Sequence, residues 1–323
     1  MSYQKKIIDL KREISDNLNA VIDSDYIYLD LPYYNNIGDV LIWKGAKTYL
    51  ETLPHKCLYE SAIENFIAPN ISEETIIIFQ GGGNFGDLWR RHTAFVLDVI
   101  DKYPKNRVVI FPQTIYYQDE SVLQQDALVM NRRGNVTICG RDRRTFDLLN
   151  KYFLNCNNLL VPDTAFFIDL NGLKVEVSKQ SLTKSLLFKR NDSEKASFDF
   201  DLYLQDGDYD SHDWPSMERP IFRAKLMDYL LTGCRRLPFS FVKSITNWYA
   251  NSVFFPAMLS EGVQFLSKYN YIYTTRLHGA ILSILLSKEI TFFDNSYGKN
   301  KGFYDTWLSG VSGIEFIDRS NVS

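Results

Sequence analysis

Apolar positions along the chain follow two alternating periods. Residues 4–19 place Ile7, Ile8, Leu10, Ile14 and Leu18 at helical spacing, which predicts an amphipathic helix. After it come short apolar runs, each closed by a turn and followed by a helical period. "YIYLDLP" (26–32) reads as a strand ending at Pro32, "YYNNIGD" as a turn, and "VLIWKGAKTYLETL" as a helix. "TIIIFQGGGNFGDLW" (75–89) repeats the plan as strand, glycine turn and helix. "RVVIFPQTIYY" (107–117) and "NVTICGRDRRTFDLLNKY" (135–152) repeat it again, and "NLLVPDTAFFI" (158–168) adds a strand. Short apolar strands alternating with amphipathic helices predict a parallel sheet covered by helices on both faces.

Beyond residue 169 the pattern changes. "DLNGLKVEVSKQSLTK" has the composition of a linker, and "SLLFKRND" opens a fresh strand. "DLYLQDGDYDSHDWPSMERP" is acidic and turn-rich and reads as an exposed loop. Residues 219–267 are mostly helical, "YNYIYTTRLHGAILSILLS" returns to strand, turn and helix, and "EITFFDNSYGKNKGFYDTWL" closes with strand, glycine-bearing loop and helix. This divides the chain into two α/β domains, 1–175 and 176–323, the second with a helical insert at about 219–256. Such halves present the carboxyl ends of their strands to a common cleft.

Composition narrows the function. With 36 Lys and Arg against 39 Asp and Glu, the net charge of −3 offers no global field for nucleic acid. The four cysteines are widely spaced and form no CxxC or Cys/His cluster, so they read as free thiols of a reducing compartment, and no metal is expected. The N-terminus reads as a charged helix rather than a signal peptide, and no run of eighteen apolar residues exists, which together point to a cytoplasmic protein.

The candidate chemistry lies at the strand-to-helix turns. Gly38 and the start of its helix suit an anion, and Asp39 is either a helix cap or a catalytic carboxylate. Gly81, Gly82 and Gly83 remove side chains where the backbone turns or meets a ligand, and Asp87 is expected in the first turn of the following helix. Arg141 and Asp142 end one strand, and Thr275 is a candidate cap for another helix. Lys189 and Arg190 alternate in direction, so one of them alone faces a shared site, and Arg190 is chosen. Arg276 and His278 leave one side of their strand, with Lys299 on the next loop. Four cations at strand ends suit a small polyanion such as a phosphate ester bearing a carboxylate.

Together "NNIGD", "GGGNFGD", "RD", "VPD" and "RLHG" followed by a lysine loop resemble the polysaccharide pyruvyltransferases, from about residue 33 to 305. The resemblance implies a GT-B-like fold, two Rossmann-like domains with the active site between them. It also implies transfer from phosphoenolpyruvate to two sugar hydroxyls, as a cyclic pyruvate ketal. No cofactor is implied, since phosphoenolpyruvate is a co-substrate. Carried over, Arg276, Arg190, Lys299 and Arg141 bind the donor, His278 is the acid, and Asp39 or Asp142 is the base; Lys301 competes with Lys299 for the loop role, and Thr145 stands where the family usually has a serine. A nucleotide-sugar glycosyltransferase and a non-catalytic phosphosugar-binding protein are the rival readings. The acceptor implied is a lipid-linked sugar of capsule or exopolysaccharide assembly. Residues 219–248 carry six cations against Asp228, interleaved with Phe222, Leu226, Leu230, Leu231, Phe239, Phe241 and Trp248, which suits an anionic membrane surface at the inner face of the plasma membrane.

Overall fold

The computed structural model describes residues 1–170, 184–190, 198–204, 209–219, 222–236, 240–295 and 298–318. The proposed domain boundary at 175 and most of the linker-like stretch lie outside these residues.

The first half opens with α1 (Tyr3–Leu18), β1 (Tyr26–Leu29), α2 (Ile37–Leu50), β2 (Cys57–Ser61), β3 (Ile76–Phe79) and β4 (Gly82–Gly86). It continues with α3 (Arg90–Lys102), β5 (Val108–Tyr116), α4 (Glu120–Asn131), β6 (Val136–Gly140), α5 (Arg143–Tyr152) and β7 (Asn157–Leu160). The second half holds β8 (Ser185–Phe188), β9 (Tyr209–His212), α6 (Pro215–Glu218), α7 (Phe222–Arg236), α8 (Ser240–Tyr249) and α9 (Phe255–Ser267). Then follow β10 (Tyr271–Thr274), α10 (Leu277–Leu285), β11 (Glu289–Phe293), α11 (Lys299–Phe303) and β12 (Ile314–Ile317).

Two Rossmann-like parallel sheets result. One runs β2-β1-β3-β5-β6-β7, with β4 added beside β5, and the other runs β12-β11-β10-β8-β9. β1 and β3 are apolar and buried along their whole length, as strands covered on both faces must be. Buried side chains of both sheets, Tyr28 and Val109 with Leu186 and Ile272, join one apolar cluster. The first helix links the halves too. Tyr3 donates its hydroxyl to the Gly313 carbonyl at 2.5 Å, and Ser312 N donates to the Met1 carbonyl.

Three local expectations change. After the glycine turn, residues 82–86 extend as β4, and α3 starts only at Arg90. Asp87 therefore precedes the helix, and its carboxylate accepts the backbone N–H groups of Gln118 and Asp119. The acidic stretch read as an exposed loop instead adds strand β9 and buries Asp213 and Trp214. Among the described residues no helix is long and apolar enough to cross a membrane.

Candidate active site

Strands β1, β6, β8, β10 and β11 all deliver chemistry from their carboxyl ends, where residues of both halves line a cavity of about 500 Å³. Its first wall is the start of α2. Asn36 caps this helix, its side-chain oxygen accepting from Gly38 N at 3.0 Å. Its amide donates to Asp39 at 2.7 Å, and Tyr34 donates its hydroxyl to the same oxygen at 2.9 Å. Burial, then Asp39 and Asp30, hold the Tyr34 phenol well above its usual range, so Tyr34 remains a donor. Asp39 thus lines the cavity as an oriented, half-buried carboxylate.

Arg141 is wholly buried at the end of β6. Its Nε donates to Thr114 Oγ1 at 2.9 Å and its Nη1 to Asp163 Oδ2 at 2.7 Å. Nη2 has no hydrogen-bond partner among the described residues. That nitrogen points at Gly83, where a Cβ would lie 3.4 Å from it and 3.0 Å from Lys299 Nζ. Asn295 Nδ2, also buried at the cavity, is a second donor without a partner among the described residues, while Asn295 Oδ1 accepts from Lys299 N at 2.7 Å. Buried donors without acceptors are costly, and an anion in the cavity would satisfy both.

Asp163, the aspartate of "VPD", joins the two halves. Its Oδ2 accepts from Arg141 and lies 3.2 Å from His278 Nε2. Burial alone would raise its pKa, but His278, Arg141 and the Ala165 N–H outweigh burial and hold the carboxyl well below the carboxylate range. With Nε2 directed to Asp163, the other imidazole nitrogen faces α2, where a Cβ on Gly38 would sit 2.9 Å from Nδ1. Glycine is required there by this close approach.

Of the expected cations, Arg190 lines the cavity, whereas Lys189 turns over the Phe200 ring. Lys299 lines it too. Lys301 pairs outside with Asp318 at 2.8 Å and Asp305 at 3.4 Å. Arg276 lines the cavity, but its guanidinium is a fork on Asp213, with Nη2 to Oδ2 at 2.6 Å and Nε on the other oxygen. Thr275 does not cap α10; its hydroxyl accepts from Arg190 N.

Two expectations are corrected. Asp142 is buried off the cavity, and as the cap of α5 it accepts from Thr145 N at 2.8 Å and from the Thr114 and Thr145 hydroxyls. Its oxygens are thus engaged by the helix cap and by two hydroxyls. Gly81 and Gly82 do not line the cavity: a Cβ on Gly81 would lie 2.8 Å from the Pro112 carbonyl, and Gly82 has φ +137.

The structure also adds a pair that the linear reading missed. His92, in the first turn of α3, lines the cavity and contacts both Asp30 oxygens through Nδ1, at 2.8 and 2.9 Å. Asp30 follows β1 in the left-handed region, φ 64. Burial lowers the His92 pKa, but Asp30 more than reverses this and holds it above its ordinary value. Burial pushes the Asp30 carboxyl up and His92 pulls it part of the way back, so it stays above the ordinary carboxylate value.

The halves thus enclose a cationic, donor-rich cleft between Rossmann-like sheets, with an oriented histidine, whose chemistry suits an anionic ligand. The chain matches the polysaccharide pyruvyl transferase family over residues 36–297 and belongs to it. It is 30% identical to EpsO of Bacillus subtilis (strain 168), a protein named for pyruvyl transfer, over 99% of this chain and 97% of that one. It is 26% identical to pyruvyl transferase 1 of Schizosaccharomyces pombe (strain 972 / ATCC 24843), over 88% and 70% of the two chains. In fold it is similar to a crystal structure of a Klebsiella pneumoniae subsp. pneumoniae NTUH-K2044 protein, with TM-score 0.63 and 22% identity over 96% of this chain and 98% of that one.

Proposed function

We propose that this enzyme transfers the pyruvyl group of phosphoenolpyruvate to two hydroxyls of one sugar, closing a cyclic ketal and releasing phosphate. The observation that carries this reading is the pair of buried donors without partners among the described residues, Arg141 Nη2 and Asn295 Nδ2, beside Lys299 and within the cavity of His278. A donor bearing both phosphate and carboxylate supplies acceptors for them and for Arg190. The two facing halves suit the GT-B plan, with donor groups mainly from the second half and Arg141 contributed by the first.

In this reading His278, oriented by Asp163, protonates the donor's methylene carbon, which becomes the methyl group. A sugar hydroxyl attacks the adjacent carbon and gives its proton to Asp39, the carboxylate that lines the cavity. The bond from that carbon to the phosphate oxygen breaks and phosphate leaves. The second hydroxyl then closes the ring and returns its proton to the His278 imidazole that protonated the methylene carbon, while the proton held by Asp39 leaves on the phosphate, so both hydroxyl protons are accounted for. The acceptor is a sugar carried on a lipid, met at the cytoplasmic face of a membrane.

The test incubates the protein with phosphoenolpyruvate and lipid-linked or soluble diol sugars. Phosphate release should match, mole for mole, a product gaining pyruvate less one water. Transfer from a nucleotide sugar with none from phosphoenolpyruvate would replace this reading with glycosyl transfer. Donor binding without any product would leave only a binding protein.

A further inference from the structure

We infer that the outward face of α7 and α8 is a contact surface for an anionic bilayer. α7 satisfies the core with one face, burying Ala224, Met227, Leu231 and Cys234 at helical spacing. Its opposite face should then be polar, yet it exposes Phe222 (78%) and Tyr229 (76%), seven residues apart. α8 exposes Phe241, Ile245 and Trp248, whose spacings of four and three place them on one stripe. These two helices pack against each other, so five large side chains stand out from one helical pair. A monomer has no reason to hold such a group in water unless something covers it.

Charge decides what covers it. Arg223, Lys225, Arg235 and Arg236 are exposed on α7, with Asp228 the one acidic residue of that helix, in a chain whose total charge is −3. Lys243 does not contribute, because it is half-buried and donates to the Phe66 carbonyl. Aromatic side chains ringed by cations match the boundary between acyl chains and anionic headgroups. The patch also adjoins the cleft. Glu64, which lines the cavity, pairs with Arg91 at 2.5 Å and with Arg235 at 3.7 Å, and the exposed Trp89 stands at the same mouth. Seating this face on a bilayer therefore brings the mouth to headgroup level, where a lipid-carried sugar would be presented; that last step alone rests on the proposed function.

The test is flotation of the full chain with vesicles of equal parts phosphatidylcholine and phosphatidylglycerol. Wild type should float at low salt and float much less at about 1 M salt, where the Debye length is about 3 Å. The double variant Arg235→Gln/Arg236→Gln should bind about tenfold more weakly, since each cation near an anionic surface contributes roughly a fivefold factor and Arg235 is partly engaged by Glu64. Phe241→Ser/Trp248→Ser should weaken binding on a similar scale while leaving transfer to a water-soluble diol unchanged. Wild type remaining unbound at low salt would overturn the inference. So would variants that float like wild type, or equal binding to pure phosphatidylcholine. The vesicle-binding outcomes do not depend on pyruvyl transfer, and failure of pyruvyl transfer would leave vesicle binding intact.

Discussion

His278 Nε2 lies 3.2 Å from Asp163 Oδ2, a pairing that joins the second half of the chain to the first across 115 residues. The carboxylate fixes the ring and leaves Nδ1 toward Gly38. His278→Gln should therefore bind phosphoenolpyruvate nearly as wild type while turnover falls by about 10²–10⁴-fold. Calorimetric titration and phosphate release measure the two separately. Normal turnover in this variant would make the histidine a structural strut between the halves.

Asp163 is also the counter-charge of buried Arg141. Asp163→Asn should cost about 3–5 kcal/mol in urea unfolding, because it leaves the guanidinium uncompensated. The sign with pH follows from the depressed Asp163 pKa. Its contribution is fully present above the ordinary carboxylate value and is lost as pH falls through the lower folded one. The gap between wild type and Asp163→Asn should thus be constant from neutral pH down to about 4 and narrow only below it.

Lys299→Ala should weaken phosphoenolpyruvate binding about ten- to a hundredfold, the scale of a lost charge-assisted hydrogen bond. Lys301→Ala should change it by less than about twofold, since that lysine is paired with Asp305 and Asp318 outside the cavity. Equal losses in the two variants would mean that the loop rearranges around the donor.

Local pattern made much of this site legible. Strand ends and glycine turns pointed to Gly38, Arg141, Arg190, Arg276, His278 and Lys299, which all line the cavity, because a parallel α/β unit gathers the loops after its strands at one cleft. Alternation along an extended chain also separated Lys189 from Arg190. What the linear pattern could not supply was the partner of each charge. Arg276 meets Asp213 across 63 residues, and His92 meets Asp30 across 62. Asp213 sits in a stretch whose acidity reads as solvent exposure; only the pairing of β9 with β8 buries it. Asp30 carried a weak signal, a polar residue directly after an apolar strand. Asp142 is ambiguous for the opposite reason, since a carboxylate before a helix fits a base and a cap equally well.

That ambiguity has a direct test. Asn is as good an N-cap as Asp, so Asp142→Asn should keep α5 and cost about 1 kcal/mol, from the hydroxyl bonds of Thr114 and Thr145 that must reorganise. Turnover per folded molecule should stay near wild type. A loss of about 10²-fold or more with unchanged donor affinity would restore Asp142 as the base.

The His92–Asp30 pair gives the last prediction. Its raised His92 pKa means that the pairing stabilises the fold fully below the ordinary imidazole value and loses that contribution as pH rises through the higher folded one. In Asp30→Asn the carboxylate is gone but the burial remains, so the His92 pKa should drop below its ordinary value rather than return to it. Nitrogen-detected titration of the imidazoles measures this, with His92→Gln identifying the resonance among the four histidines of the chain. The stability difference between wild type and Asp30→Asn should correspondingly be largest on the acid side of neutrality and shrink in alkali. A His92 titration unmoved by the substitution would show that burial and the neighbouring charges of Asp39 and Arg91, not Asp30, set its proton affinity, and the cleft would then hold one oriented imidazole instead of two.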